Sequence, residues 1–238
     1  MIKRVFMLAA VFLVACNSGP QQSADNAVGG ATVVSTAQAP IAKATTSLAL
    51  DWGKKAQAGQ VAIANVLTYG GSKPVITPPT GCQLIRNDST DTTRQSLYWH
   101  AVVASDPSTS KWTFSEAVDA QGAIVLLDNV AADAPVDMTS GNSGSGGTVT
   151  AKSVTTTSDG NLILSFYATD FAHPGLLGSF AQPPPNTKTL VNQEDAPLEY
   201  WILGSYQTQN GTTDEQVCSA SQIFNWVAAQ VAIKHGSH

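Results

Sequence analysis

Three observations predict an all-β fold, an antiparallel β-sandwich or jelly roll. Short runs of β-branched and aromatic residues recur after residue 47. Gly, Pro and Asn-Gly breakers separate them, among them Gly70-Gly71, Pro78-Pro79, Asp159-Gly160 and Asn210-Gly211. Only 12% of the residues are charged, and Gly, Ser, Thr and Asn are abundant, which suits an extracellular β protein better than a cytosolic enzyme.

In chain order the predicted strands are residues 48–52, 61–69, 83–87, 96–104, 111–115, 123–127, 148–155, 162–168, 199–206, 215–219 and 224–233. Many strands at short intervals imply a sandwich. The segment 223–233 is apolar on all sides, so periodicity alone also permits a buried helix there.

Ahead of the strands, Lys3 and Arg4 make a basic start. Residues 5–14 form an apolar run too short to span a bilayer, and Leu13-Val14-Ala15-Cys16 closes it. This is the pattern of a secretory signal peptide, and its end resembles the lipobox of bacterial lipoproteins. The resemblance implies that Cys16 carries a diacylglycerol, that cleavage precedes it, and that the new amine is acylated; several chains together anchor stably. Asn17 rather than Asp after the cysteine implies the outer membrane, on its periplasmic or its surface side. Residues 16–46 read as a disordered tether with a reach of about 30 Å. The expected organisation is signal peptide 1–15, tether 16–46, one sandwich domain 47–234 and a tail 235–238. The net charge of -5 argues against nucleic acid as a partner. The membrane, reached through the lipid, is the first expected partner, and no cofactor is expected.

Of the three cysteines, lipidation uses one. Cys82 and Cys218 remain as an even pair in an oxidising compartment, so a disulfide worth ~2–4 kcal/mol is expected. Two separate buried thiols are the alternative.

The chain also echoes itself. Gly59-Gln-Val-Ala-Ile-Ala-Asn-Val parallels Gly160-Asn-Leu-Ile-Leu-Ser-Phe-Tyr, and the Pro-Pro turn after Thr77 parallels the one after Gln182. Tyr98-Trp99 parallels Tyr200-Trp201, Trp112-Thr-Phe-Ser parallels Val217-Cys-Ser-Ala, and the strand at Ala123 parallels that at Val227. Two half-domains sharing one core are expected, joined by a Gly/Ser linker at 139–147.

Gln57-Ala-Gly-Gln-Val-Ala and Ile76-Thr-Pro-Pro-Thr-Gly-Cys-Gln-Leu-Ile-Arg-Asn-Asp resemble a module common in bacterial secreted, surface and phage-tail-associated proteins. Its usual form is roughly AGD, an apolar strand, then PPAGW-x-L-x-R. Tyr98-Trp99-His100, Trp112-Thr-Phe-Ser and Trp226-Val-Ala match its later landmarks. The resemblance implies a β-sandwich, 223–233 as its closing strand, and no catalytic residues. Cys82 stands where the module has Trp, which favours a bridge to Cys218 in place of a large side chain.

For function, an aromatic binding site is the leading expectation. The long segment 170–197 holds Phe171, His173 and Phe180 among prolines and carboxylates, and long loops on rigid sandwiches are where binding usually sits. Alternation places Tyr98 and His100 opposite the core-filling Trp99, on a wet face. These residues form the candidate site for a glycan or an envelope protein; a structural component without a small ligand is the alternative. Asp128, Asp133 and Asp137 crowd one loop and are weak calcium candidates. Gly141-Asn-Ser-Gly-Ser145 resembles the nucleophile segment of trypsin-like glutamyl endopeptidases, with His100 and Asp119 or Asp128 in chain order. The small-residue context of the histidine is missing, so a non-catalytic protein is expected over a serine hydrolase.

Overall fold

The computed structural model describes residues 21–23, 30–52, 56–170, 180–181, 183–195, 198–220 and 225–236. Their regular elements are strands: β1 (Gln21–Ser23), β2 (Thr32–Asp51), β3 (Val61–Tyr69), β4 (Ile76–Thr77), β5 (Gln83–Ser89), β6 (Thr93–Ala101), β7 (Thr109–Asp128), β8 (Val136–Ser145), β9 (Thr148–Ala151), β10 (Thr155–Thr156), β11 (Asn161–Asp170), β12 (Phe180–Ala181), β13 (Lys188–Asp195), β14 (Leu198–Gln207), β15 (Gly211–Thr212), β16 (Gln216–Ala220) and β17 (Asn225–Ile233). The apolar segment open to two readings is thus a strand, β17.

Two antiparallel six-stranded sheets pack face to face. One runs β2-β7-β3-β6-β5 with β4 on β7; the other runs β1-β14-β11-β17-β8 with β13 on β14. Val61, Ile63 and Leu67 of the first sheet share a core with Leu164, Phe166, Ile202, Val227 and Val231 of the second. Each sheet is also covered on its outer face. On the first, Ala62, Ala64 and Val66 pack under Leu48, Leu50 and Trp112, because β2 and β7 bend back over their own sheet. On the second, Tyr167, Trp201 and Ala228 pack under Val149, Phe180 and Cys218 of a small sheet, β12-β16-β9. Burial on both faces explains why β3 and β11 carry apolar residues on both sides rather than alternating.

The two halves share one plan. The order β7-β3-β6-β5 recurs as β17-β11-β14-β13. Val61 lies between Ala101 and Leu127, as Leu162 lies between Tyr206 and Ile233. The bulge between Leu84 and Arg86 recurs between Thr189 and Val191. Ile76 pairs with Phe114 where Phe180 pairs with Ala220. Cys218, one residue beyond the expected Val217, therefore occupies the place of Trp112. A large Phe180 beside a small Cys218 stands in the second outer core where Ile76 and Trp112 stand in the first. The expected match of Tyr98 with Tyr200 is also out of this register. Tyr98 enters the outer core of its half; Tyr200 enters the central core and donates its hydroxyl to the Gly122 carbonyl at 3.0 Å.

Besides β13, which occupies part of the segment 170–197 expected as one long loop and pairs along β14, two segments differ from expectation. Composition predicts a tether up to residue 46, yet β2 begins at Thr32 and pairs along β7. Backbone hydrogen bonding and β-branched Thr32, Val33 and Val34 carry this stretch, with only Val33, Val34, Ala39 and Ile41 packing against cores. Pro40 lies where the ladder skips from Ala39 to Ala42, a bulge being one of the few places a strand accepts proline. The second segment is the predicted linker 139–147, which is mostly β8 and pairs with β17.

Its glycines serve close approach. A side-chain carbon at Gly144 would stand 2.6 Å from the Trp226 ring, and one at Gly141 would overlap the Arg86 guanidinium. Arg86 is held there by Asp88, at 2.5 and 2.6 Å, and donates to Thr139 Oγ1 at 2.9 Å. Gly141→Ala must break this cluster, which joins β5 to β8. The expected loss is about 1–3 kcal/mol, read as a lowered urea midpoint.

Candidate functional site

The described residues of the sequence-derived site do not converge. Phe171 and His173 lie outside the described residues. Phe180 is 3% exposed and packs edge-on to Tyr167 and against Trp201, so it serves the outer core of the second half rather than a ligand. Tyr98 and His100 do share a face opposite Trp99, but that face is dry: they are 3% and 6% exposed. Alternation assigns the sides correctly, and the returning strands β2 and β7 cover the side expected to be wet.

Cys82 and Cys218 do not meet. Both thiols are free, Cys82 against the outer core of the first half and Cys218 within that of the second. Both sheets lie between them, so no disulfide geometry is reachable. Burial, with the Asp106 carboxylate as a smaller cause, pushes the Cys82 thiol up to about 12. Burial pushes Cys218 up to about 12 as well, against a hydrogen bond with Tyr167. Both are therefore weak nucleophiles.

The three calcium candidates also separate. Among the described residues no group of three His, Cys, Asp or Glu side chains is placed to hold a metal. Asp128 accepts from the Asn129 N–H at 2.8 Å. Asp133 lies on the rim of a cleft built by other elements. Asp137 accepts from the Thr157 N–H at 2.7 Å and from the Thr157 hydroxyl. Burial opposes its charge, but these bonds, Ser158 and Lys234 hold its carboxyl below the usual range. It is a turn clamp rather than a ligand.

The protease constellation is likewise dispersed. Ser143 is exposed on β8, opposite Val227. Asp119 accepts from the Ala44 N–H at 2.8 Å and from Lys43 at 3.3 Å. His100 instead meets Asp106, Nε2 to Oδ2 at 2.7 Å.

That pair lies in an open cleft of about 860 Å³ at one end of the first half, lined also by Trp52, Gly81, Trp99, Lys111 and Asp133. Three elements build it. β6 carries Trp99 and His100 to its end. The turn after it holds Asp106, whose Oδ2 also accepts from the Val103 N–H at 2.8 Å. The chain leaving β2 lays Trp52 on the imidazole, with ring centroids 4.9 Å apart and tilted by 33°. Burial works against the Asp106 charge, but Val103 and His100 outweigh it and hold the carboxyl below its ordinary value. Gly81 closes the last side at φ +83°; a side-chain carbon there would stand 2.9 Å from Cε1 and 3.0 Å from Nδ1 of His100. Glycine meets both demands, the backbone angle and the contact.

Sequence patterns single out His100, but not Trp52, Asp106 or Gly81. The Ser105-Asp106-Pro107 turn just after a histidine is the available signal. The second half supplies an internal comparison. His100 pairs with Ala62 where Ser205 pairs with Ile163, and Gly81 has its counterpart in Asn186, also left-handed at φ 62°. Two residues beyond Leu50 stands Trp52; two beyond the matching Ala151 stands Ser153. The same corner thus folds without His or Trp. No family model, no curated protein and no solved structure matches the chain.

Proposed function

We propose that the chain is a non-catalytic outer-membrane lipoprotein whose β-sandwich binds a glycan or a protein at the cell envelope. The leader ending in Cys16 supports the anchoring. The cleft around His100 and Trp52 supports the binding, because the fold repeats itself in the second half without these side chains. The cleft volume of about 860 Å³ lies in the range of ordinary ligand sites. The thiol adjoining its dyad, Cys82, is a weak nucleophile, because burial keeps it protonated at neutral pH.

The anchoring is tested by Cys16→Ser. The variant is expected to leave the membrane fraction or to remain uncleaved. Normal processing with unchanged membrane retention removes the lipoprotein reading. The binding is tested with the full-length protein on a glycan array and in a pull-down against envelope extract. Silence in both leaves the structural component without a ligand.

A further inference from the structure

The chain enters the sandwich at one defined end. β1 lies antiparallel on β14, with Gln21 opposite Gln207 and Ser23 opposite Ser205. Its upstream residue is therefore level with the last residue of β14. Farther on, Tyr206 donates its hydroxyl to the Ala31 carbonyl, and Asn129 Nδ2 donates to the Gly30 carbonyl at 3.0 Å. Ala31 is buried, and β2 then starts with Thr32 opposite Asp128. The segment that composition reads as a tether is thus fastened twice, to the second half by β1 and to the first by β2.

The strand registers identify this end. In the second sheet Leu162 pairs with both Tyr206 and Ile233 there. In the first, Val61 pairs with both Ala101 and Leu127. A bridge from Val130 to His235 joins the two sheet ends. The connection after Val130 carries Ala132 and Asp133 to the cleft, and the chain leaving β6 brings Val103 and Ser105 to it. Entry point and cleft therefore share one end of the sandwich. Tyr69 of β3 and the Thr92–Asp170 contact mark the opposite end.

Four residues, Asn17 to Pro20, stand between Cys16 and Gln21. Five steps of fully extended chain span at most about 18 Å. The nine residues of β3 run about 30 Å from the entry end to the far one. A lipid on Cys16 can therefore reach the entry end but leaves too little chain for the far end to turn towards it.

We infer that the sandwich stands on the bilayer by its entry end. The turns at 103–105, 131–134 and 208–210 are then its lipid-facing surface, and the cleft opens into the headgroup layer. This rests on the anchoring reading above and adds to it which face of the domain meets the membrane. In these turns Asp133 alone is charged. The surface accordingly suits neutral, zwitterionic headgroups, whereas attraction to anionic lipid needs clustered Lys or Arg.

The test uses the lipidated chain in phosphatidylcholine vesicles that carry an acceptor dye on a fraction of the headgroups. A donor dye is attached through an azide-bearing residue introduced singly at Ser105, Asn210, Lys73 or Asp91, all of them exposed; this chemistry spares the native thiols. Energy transfer is expected to place Ser105 and Asn210 nearer the headgroup plane than Lys73 and Asp91 by about 20 Å. Each end has two label sites, so one that lowers the melting transition can be set aside. Equal heights at both ends, or the reverse order, on protein that stays with the vesicles overturn the inference and leave the anchoring reading standing. Protein that carries no lipid and stays off the vesicles ends both.

Discussion

Asp170→Ala is expected to destabilise the fold by about 2–4 kcal/mol, the cost of leaving hydrogen-bond donors without their acceptor. Asp170 is 2% exposed and ends β11. It accepts from the Asn225 N–H at 3.0 Å, from Asn225 Nδ2 at 3.4 Å and from the Thr92 hydroxyl. Thr92 belongs to the β5–β6 turn of the other half, and Asn225 Nδ2 also reaches its oxygen at 3.1 Å. The carboxylate therefore ties the two halves at one end, and its loss leaves the partly buried Asn225 N–H and Thr92 hydroxyl without this acceptor. Urea denaturation measures the effect. Thr92→Ala combined with Asp170→Ala is expected to cost less than the two single losses added together, because both act on one network. Strict additivity would show that the network does not couple the halves.

A second large effect depends on pH. Glu199 on β14 is 1% exposed and accepts from the Phe180 N–H at 2.9 Å. Burial, helped by Glu194 opposite it on β13, raises its carboxyl from 4.5 to about 8, and the Phe180 N–H offsets only part of this. A group whose pKa is raised by folding contributes full stability below its unfolded value. Between the unfolded value and about 8 the folded chain keeps a proton that the unfolded chain has lost. Stability accordingly falls as pH rises through this window and levels off above it. At pH 7 the cost is on the order of 3 kcal/mol. Glu199→Gln keeps an acceptor for Phe180 and cannot ionise. It is expected to remove most of the slope between pH 5 and 8 and to be the more stable protein at pH 8. Parallel stability curves for the two proteins would refute the assignment.

The legible parts of this chain are those set by local chemistry. Val61 to Tyr69 and Asn161 to Asp170 are strands in which nearly every side chain is apolar or small, and left-handed glycines precede each, Gly59 at φ 94° and Gly160 at φ 68°. The repeated order of runs and turns makes the two halves visible. The Gly/Ser string misleads because glycine has two uses. At 141 and 144 it makes room for Arg86 and Trp226 rather than loosening the chain, and both neighbours come from distant segments. The start of β2 is hidden for a related reason: its strand state rests on backbone pairing with β7, which leaves little trace in side-chain hydropathy.

The candidate site is half legible. His100 is in view because alternation sets it on the face opposite Trp99, but its role turns on partners that no spacing rule supplies. Asp106 reaches it through a turn, and Trp52 arrives from a strand paired with β7. The cysteines show the same limit, since counting thiols says nothing about the two sheets standing between Cys82 and Cys218.

Composition and periodicity by themselves determined an all-β chain of two similar halves, because turn residues and β-type apolar runs act over a few residues. The tertiary structure alone decided which faces are dry. A period of two says that Tyr98 and His100 oppose Trp99, but not that β2 and β7 fold back to cover them. That burial turns a pair expected on a wet surface into a packed core residue and the floor of a cleft. Sidedness is a local property of a strand, whereas cover depends on what the rest of the chain brings to it.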